Sequence, residues 1–329
     1  MNYLSHRPRR LRSSPILRSL VRETRVTPSN LIMPLFIVPG DKVKLEIKSM
    51  PGQYNWSIDL AVEKCVELYK AGIRSVLLFA IPDLKDDSGS ASWQKDGIIQ
   101  RVIPLIKKAV PEMFIVTDLC FCEYTSHGHC GVMRDGKLDN DATLEGIVKQ
   151  TLSHAQHGAD MIAPSGMIDG CVGAMRHVLD ENGFHELPIM GYSAKMASAF
   201  YGPFREASQC APQVGDRKSY QMDGANRREA LREVQLDIEQ GADIVMVKPA
   251  SLFLDIIREV KDNFLVPVAA YNVSGEYAMV KAAGANGWID ERKIMLETLT
   301  SIKRAGADII ITYFAEDFAR AYAESGGEL

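Results

Sequence analysis

Eight short aliphatic runs recur along the chain, separated by longer segments with helical spacing. The runs are LIMPLFIV (31–38), SVLLFA (75–80), MFIVTDLC (113–120), DMIAPS (160–165), PIMGYS (188–193), DIVMVKPA (243–250), PVAAYNV (267–273) and DIIITYFA (308–315). Runs that are apolar throughout, rather than alternating, mark strands covered on both faces. Residues 57–72, 141–160, 226–243 and 290–308 repeat their apolar positions at three and four, the period of a helix resting one face on a sheet. Asp141 is placed to cap the second of these. Three joints, at 158–160, 241–243 and 306–308, spell Gly-Ala-Asp before an aliphatic run, so one helix–turn–strand device is used three times. Glycine suits such a helix stop because it tolerates positive φ.

Eight covered strands alternating with helices predict an α/β fold, a (β/α)8 TIM barrel over residues 31–329. A doubly wound open sheet is the rival. The count of eight favours the barrel, as does the lack of a glycine-rich turn after the first run. Residues 1–30 fall outside the pattern and are predicted to form an extended N-terminal arm. Residues 196–225 are a long, turn-rich connection after strand five, the kind of segment that serves as a lid.

The 329 residues carry 38 basic and 42 acidic side chains, so no basic excess points to nucleic acid, and the RPRRLR stretch at 7–12 reads as a solvated or oligomer-wrapping tail. Neither a membrane-length apolar run nor a secretory signal is recognisable, which predicts a cytosolic address. In that compartment the six cysteines are expected to be ligands or buried thiols rather than bridges.

A barrel of this kind carries its chemistry at the C-terminal ends of its strands. There the stretch DLCFCEYTSHGHCG (118–131) holds Cys120, Cys122 and Cys130. Thiolates select zinc, and three of them leave one tetrahedral position for water or substrate. His127 or His129 could instead close the shell. Cys65, Cys171 and Cys210 show no such grouping and read as ordinary thiols. Lys248 ends an aliphatic strand, where desolvation favours the neutral amine that attacks a ketone. Lys195, two residues beyond strand five, is placed as a second cation. Arg205, Arg217 and Lys218 lie in the predicted lid, and arginine forks match carboxylates.

These motifs, with RPRRLR, MPGQ, YSAKMASAFYGPFREA, GDRKSYQMD, MVKPA, YNVSGEYAMV and RAGADIIITYFA, resemble the porphobilinogen synthase (5-aminolevulinate dehydratase) family along essentially the whole chain. The resemblance implies condensation of two 5-aminolevulinate molecules to porphobilinogen. It implies that Lys248 forms a Schiff base with the first substrate and that Lys195 serves the second. Ser274 and Tyr313 match positions for the first carboxylate, and Arg205, Arg217 and Gln221 match positions for the second. Cys120, Cys122 and Cys130 match a zinc triad with Asp118 beside it, and Glu233 matches a remote site for an activating magnesium. A homo-octamer with embracing arms is implied as well. One departure is that Gly166 and Cys171 stand where many members carry aspartate and arginine. The alternatives are a different Schiff-base aldolase with structural zinc, or a zinc-stabilised assembly module without catalysis.

Overall fold

The structure is a computed structural model that describes residues 6–328. Eight parallel strands form the barrel: β1 (Leu31–Val38), β2 (Ser75–Ala80), β3 (Phe114–Leu119), β4 (Met161–Pro164), β5 (Met190–Lys195), β6 (Ile244–Lys248), β7 (Val268–Asn272) and β8 (Ile309–Thr312). They hydrogen-bond in the order β4-β3-β2-β1-β8-β7-β6-β5. A bridge between Ile162 and Ile189 joins the two ends of that order. All eight residues of β1 are buried, as a continuous apolar run requires of a strand packed on both faces.

The helices of the outer ring are α1 (Ile58–Lys70), α2 (Ile98–Ala109), α3 (Asn140–Gln156), α4 (Cys171–Glu181), α5 (Arg227–Glu239), α6 (Leu254–Asn263), α7 (Ser274–Ala285), α8 (Glu291–Ala305) and α9 (Ala315–Glu324). The eight strands lie where the aliphatic runs predict them, with ends shifted by a residue or two. One shift matters. Strand five reaches Lys195, so this lysine is the last residue of β5 and does not follow it by two. Cys120, in contrast, begins the loop after β3 rather than closing the strand.

The repeated Gly-Ala-Asp joint has a structural reason beyond the helix stop. Gly158, Gly241 and Gly306 all have positive φ. Each following aspartate then clamps the start of the neighbouring strand from two sides. Asp160 accepts from the Ile115 N–H at 2.7 Å, Asp243 from Ile189 at 2.8 Å and Asp308 from Val268 at 2.9 Å. Their own backbone N–H groups donate back to the carbonyls of the same three residues. Charge-assisted bonds of this kind satisfy buried backbone groups at the bottom of the barrel and fix strand register. The opposite end is left to function.

Of the predicted arm, residues 1–5 lie outside the described residues. The remainder contains a 3-10 turn (Pro8–Arg12) and a short helix (Pro15–Leu20), on which Leu11, Ile16 and Leu20 are exposed. No described helix is long and apolar enough to cross a membrane.

Candidate active site

β5 and β6 are adjacent and parallel, and their final residues are register partners: Lys195 lies opposite Lys248. Side chains of paired residues on neighbouring strands leave the sheet on the same face. Register alone therefore brings two amines together at one mouth of the barrel. Both are 5% exposed. The Lys248 amine sits over the Tyr271 ring at 4.0 Å from its centroid, with Tyr192, Tyr201 and Phe204 at 5.1 to 5.4 Å. Ring faces attract a cation, but burial and then the neighbouring Lys195 weigh more, and the Lys248 amine is pulled down to about 7.

Lys195 donates to the Ser165 carbonyl, and the Ser165 hydroxyl donates to Asp118 Oδ2 at 3.0 Å. Burial raises Asp118 to about 6, against the pull of both lysines. Its other oxygen is buried without a partner.

The three predicted metal ligands come together. The sulfurs of Cys120, Cys122 and Cys130 all lie within 4.8 Å of one another and are buried, and none is in a disulfide. Cys130 is drawn well below the ordinary thiol value by its contacts with Cys120 and then Cys122, whereas those two thiols are raised well above it. Three soft donors at that spacing, with no fourth sulfur in the group, suit a tetrahedral ion with one exchangeable position. The histidines are occupied elsewhere. His129 contacts the Tyr220 hydroxyl at 3.1 Å and the Val214 carbonyl at 2.8 Å, and His127 Nδ1 accepts from the His129 backbone. Neither closes the shell.

The predicted lid contains a short helix, Gly202–Ala207, and its two ends meet in a bridge between Met196 and Met222. It is fastened at the lysines themselves, since Met196 N–H donates to the Lys248 carbonyl and Met222 N–H to the Lys195 carbonyl. Its far side is pinned to the cysteine loop. Arg217 donates to the Gly128 carbonyl at 2.9 Å and to the Cys210 carbonyl at 2.6 Å, and Gln213 N–H donates to the His127 carbonyl at 3.0 Å. Lys195, Lys248, Arg217, Cys122 and Glu123 line one enclosed cavity of only about 10 Å³.

Ser274 begins α7, and its hydroxyl accepts from the Phe204 N–H at 3.0 Å. The Tyr313 hydroxyl meets that of Tyr271 at 3.1 Å, one ring away from Lys248. Buried donors on Arg205 (Nε), Arg217 (Nε) and Gln221 (Nε2) have no partner. Gln221 borders a different cavity, of about 620 Å³, together with Lys218 and Glu233. Glu233 stands apart from the lysines and also lines a cavity of about 250 Å³ with Asp169, Cys171 and Asp237.

Two residues at the site are not anticipated from sequence. Glu123 is fully buried, accepts from the Cys122 thiol at 3.2 Å, and is raised to about 8 by burial and the sulfurs and carboxylate around it. Its place inside the cysteine motif was the available signal. Cys210, expected to be an ordinary thiol, packs instead against the three clustered cysteines. Only the fold of the lid reveals this.

The delta-aminolevulinic acid dehydratase family model matches residues 5–321. A protein of that name from Synechococcus elongatus is 57% identical over 320 residues, covering 96% of this chain and 98% of its own. The Bacillus subtilis protein of the same name is 53% identical over 324 residues, covering 98% and 100%. The crystal structure of the Toxoplasma gondii enzyme in complex with its reaction product porphobilinogen superposes with a TM-score of 0.96 at 42% identity, covering 98% of this chain and 92% of that one.

The lid's seat can be tested at Gly275. A Cβ there would lie 2.6 Å from the Phe200 carbonyl oxygen and 2.7 Å from its Cα, both backbone atoms. Gly275→Ala is expected to unseat the lid at a cost of about 1–3 kcal/mol, or about 5–150-fold in the open population. Limited proteolysis within 196–225 should accelerate accordingly while far-UV circular dichroism stays unchanged. Unaltered cleavage would refute this seat.

Proposed function

The chain belongs to the delta-aminolevulinic acid dehydratase family, and we infer that its barrel mouth condenses two 5-aminolevulinate molecules into porphobilinogen. This is a hydro-lyase reaction of haem synthesis that releases two waters. The observation that carries the assignment of roles is the register pair Lys195–Lys248, two buried amines facing one cavity.

Lys248 is the nucleophile. With its amine at about 7, a large fraction is uncharged at neutral pH. The nitrogen adds to the first ketone, the carbonyl oxygen leaves as water, and a C=N bond remains. Lys195 serves the second substrate, and its charge holds Lys248 down. Asp118 keeps or releases a proton at its unpartnered oxygen, within the field of both lysines. Ser274 and Tyr313 take the first carboxylate. Arg205, Arg217 and Gln221 take the second, which fits their unpartnered buried donors, since such groups are rare unless a ligand satisfies them. Holding both ketones side by side removes an encounter entropy worth about 7 kcal/mol or more.

Cys120, Cys122 and Cys130 are the residues that would hold zinc. When bound there, zinc supplies Lewis acidity toward a ketone oxygen or water. Glu233 is the ligand for an activating magnesium. Burial and the neighbouring Asp169 raise it, and Asp237 nearby is raised to about 6 by burial, a charge imbalance that a cation relieves. Cys171, where many members carry arginine, lines the same cavity and brings no competing positive charge. The protein works in the cytosol as a homo-octamer, its arms using Leu11, Ile16 and Leu20 against neighbouring subunits.

Borohydride reduction in the presence of 5-aminolevulinate is expected to add substrate mass at Lys248, and Lys248→Met to lose turnover by about 10³-fold or more. Normal turnover by that variant would sink the nucleophile assignment.

The depressed amine sets a pH dependence. Because Lys248 reacts only when neutral, trapping of a single keto acid such as levulinate should rise with pH through about 7. Lys195→Met removes a charge that lowers Lys248, so the midpoint of trapping should move up. A midpoint that stays put would show that burial alone sets it.

Chelation should abolish turnover while circular dichroism stays intact, because the barrel has its own apolar core. Unfolding on chelation would make the ion structural and favour the alternative, a Schiff-base aldolase whose zinc only holds the fold. Full turnover of metal-free protein would exclude a catalytic ion.

A further inference from the structure

Cys210 is fully buried, and it is carried by the lid rather than by the loop that holds the other three clustered thiols. Its sulfur lies within 4.8 Å of Cys122 Sγ and of a Glu123 carboxylate oxygen, a second metal-capable group that shares Cys122 with the triad. Glu123 Oε1 in this group is buried and has no hydrogen-bond partner. The Ser208 hydroxyl donates to the Phe204 carbonyl at 2.7 Å and its oxygen lies 2.9 Å from the Cys210 sulfur, which ties the thiol to the short lid helix. Backbone packing on both sides fixes this position. Arg217 bridges the Cys210 and Gly128 carbonyls, and Gly128 approaches so closely that a Cβ on it would lie 2.5 Å from the Ala211 carbonyl oxygen.

We propose that Cys210 is a lid-borne fourth sulfur ligand for the divalent ion of the cysteine triad, occupying the exchangeable position while the lid is seated and yielding it to a substrate oxygen. This rests on the reading that the triad holds a metal. Cys210 groups with Cys122 and Glu123 rather than with Cys120 and Cys130, so completing the shell takes a rotation of its side chain toward the triad. Four thiolates form a closed tetrahedral site of the structural type, whereas three leave it open. One lid side chain thus switches the ion between a sealed and a reactive state. On ligation the Cys210 thiol proton leaves to water, and on displacement the thiolate takes one back, while the ion keeps its oxidation state.

X-ray absorption of the cobalt(II)-substituted enzyme counts the sulfur ligands directly. Four are expected in the ligand-free wild type, three in Cys210→Ser and in Cys210→Ala, and three in the wild type with levulinate bound. Three sulfurs in the ligand-free wild type, unchanged in both variants, would overturn the proposal and leave the triad standing. Absence of any sulfur ligation in the wild type would overturn the triad reading, and this inference with it.

Discussion

Desolvation of one amine governs this molecule. Lys248 is 5% exposed and ringed by three tyrosines and a phenylalanine. An isolated ammonium so placed would force water into the barrel or lose its proton. The second course is favoured because strand register adds a like charge from Lys195. Moving either strand by one residue would send one of the two side chains to the other face. The aspartate clamps at the far end of the barrel hold β3, β5 and β7 in register, and so help keep the two lysines opposite each other at the other end.

The lid extends the same logic. Its roots hydrogen-bond to the carbonyls of Lys195 and Lys248, its middle to Ser274, and its tip to the cysteine loop. The lid therefore touches each part of the site at once: the backbones of the two lysines, Ser274 and the cysteine loop. The enclosed space between the lysines is too small for a five-carbon acid, so entry of substrate requires the lid to loosen. Loosening it frees contacts at all of these places together.

The barrel was legible because continuous aliphatic runs and glycine stops are local signals, and local signals survive in a one-dimensional reading. The cysteine triad was legible for the same reason, since three donors within eleven positions need little folding to meet. Lys248 announced itself as a charge at the end of an apolar strand. What escaped was set by register and by return of the chain. The position of Lys195 depended on extending β5 by two residues. Glu123 looked like one more loop acid until burial singled it out. Cys210 reaches the triad only because the lid folds back over the loop, a contact with no local trace. Gln221 borders the neighbouring cavity in this seated state of the lid, where motif matching alone would place it against the second carboxylate.

The buried groups of the mouth also converge in proton affinity. A carboxyl and an alkyl amine ordinarily differ by about six units. Here burial raises Asp118 to about 6 and Glu123 to about 8, and lowers Lys248 to about 7. Burial disfavours every charged form, so it moves acids and bases toward each other. Forming porphobilinogen requires protons to leave carbon and nitrogen and to join departing oxygens. Each transfer is easiest when donor and acceptor have matched affinities near the working pH. A single physical cause, exclusion of water from the end of the barrel, therefore both lowers the Lys248 amine and raises the two carboxyls toward it. A more open mouth would lose both together.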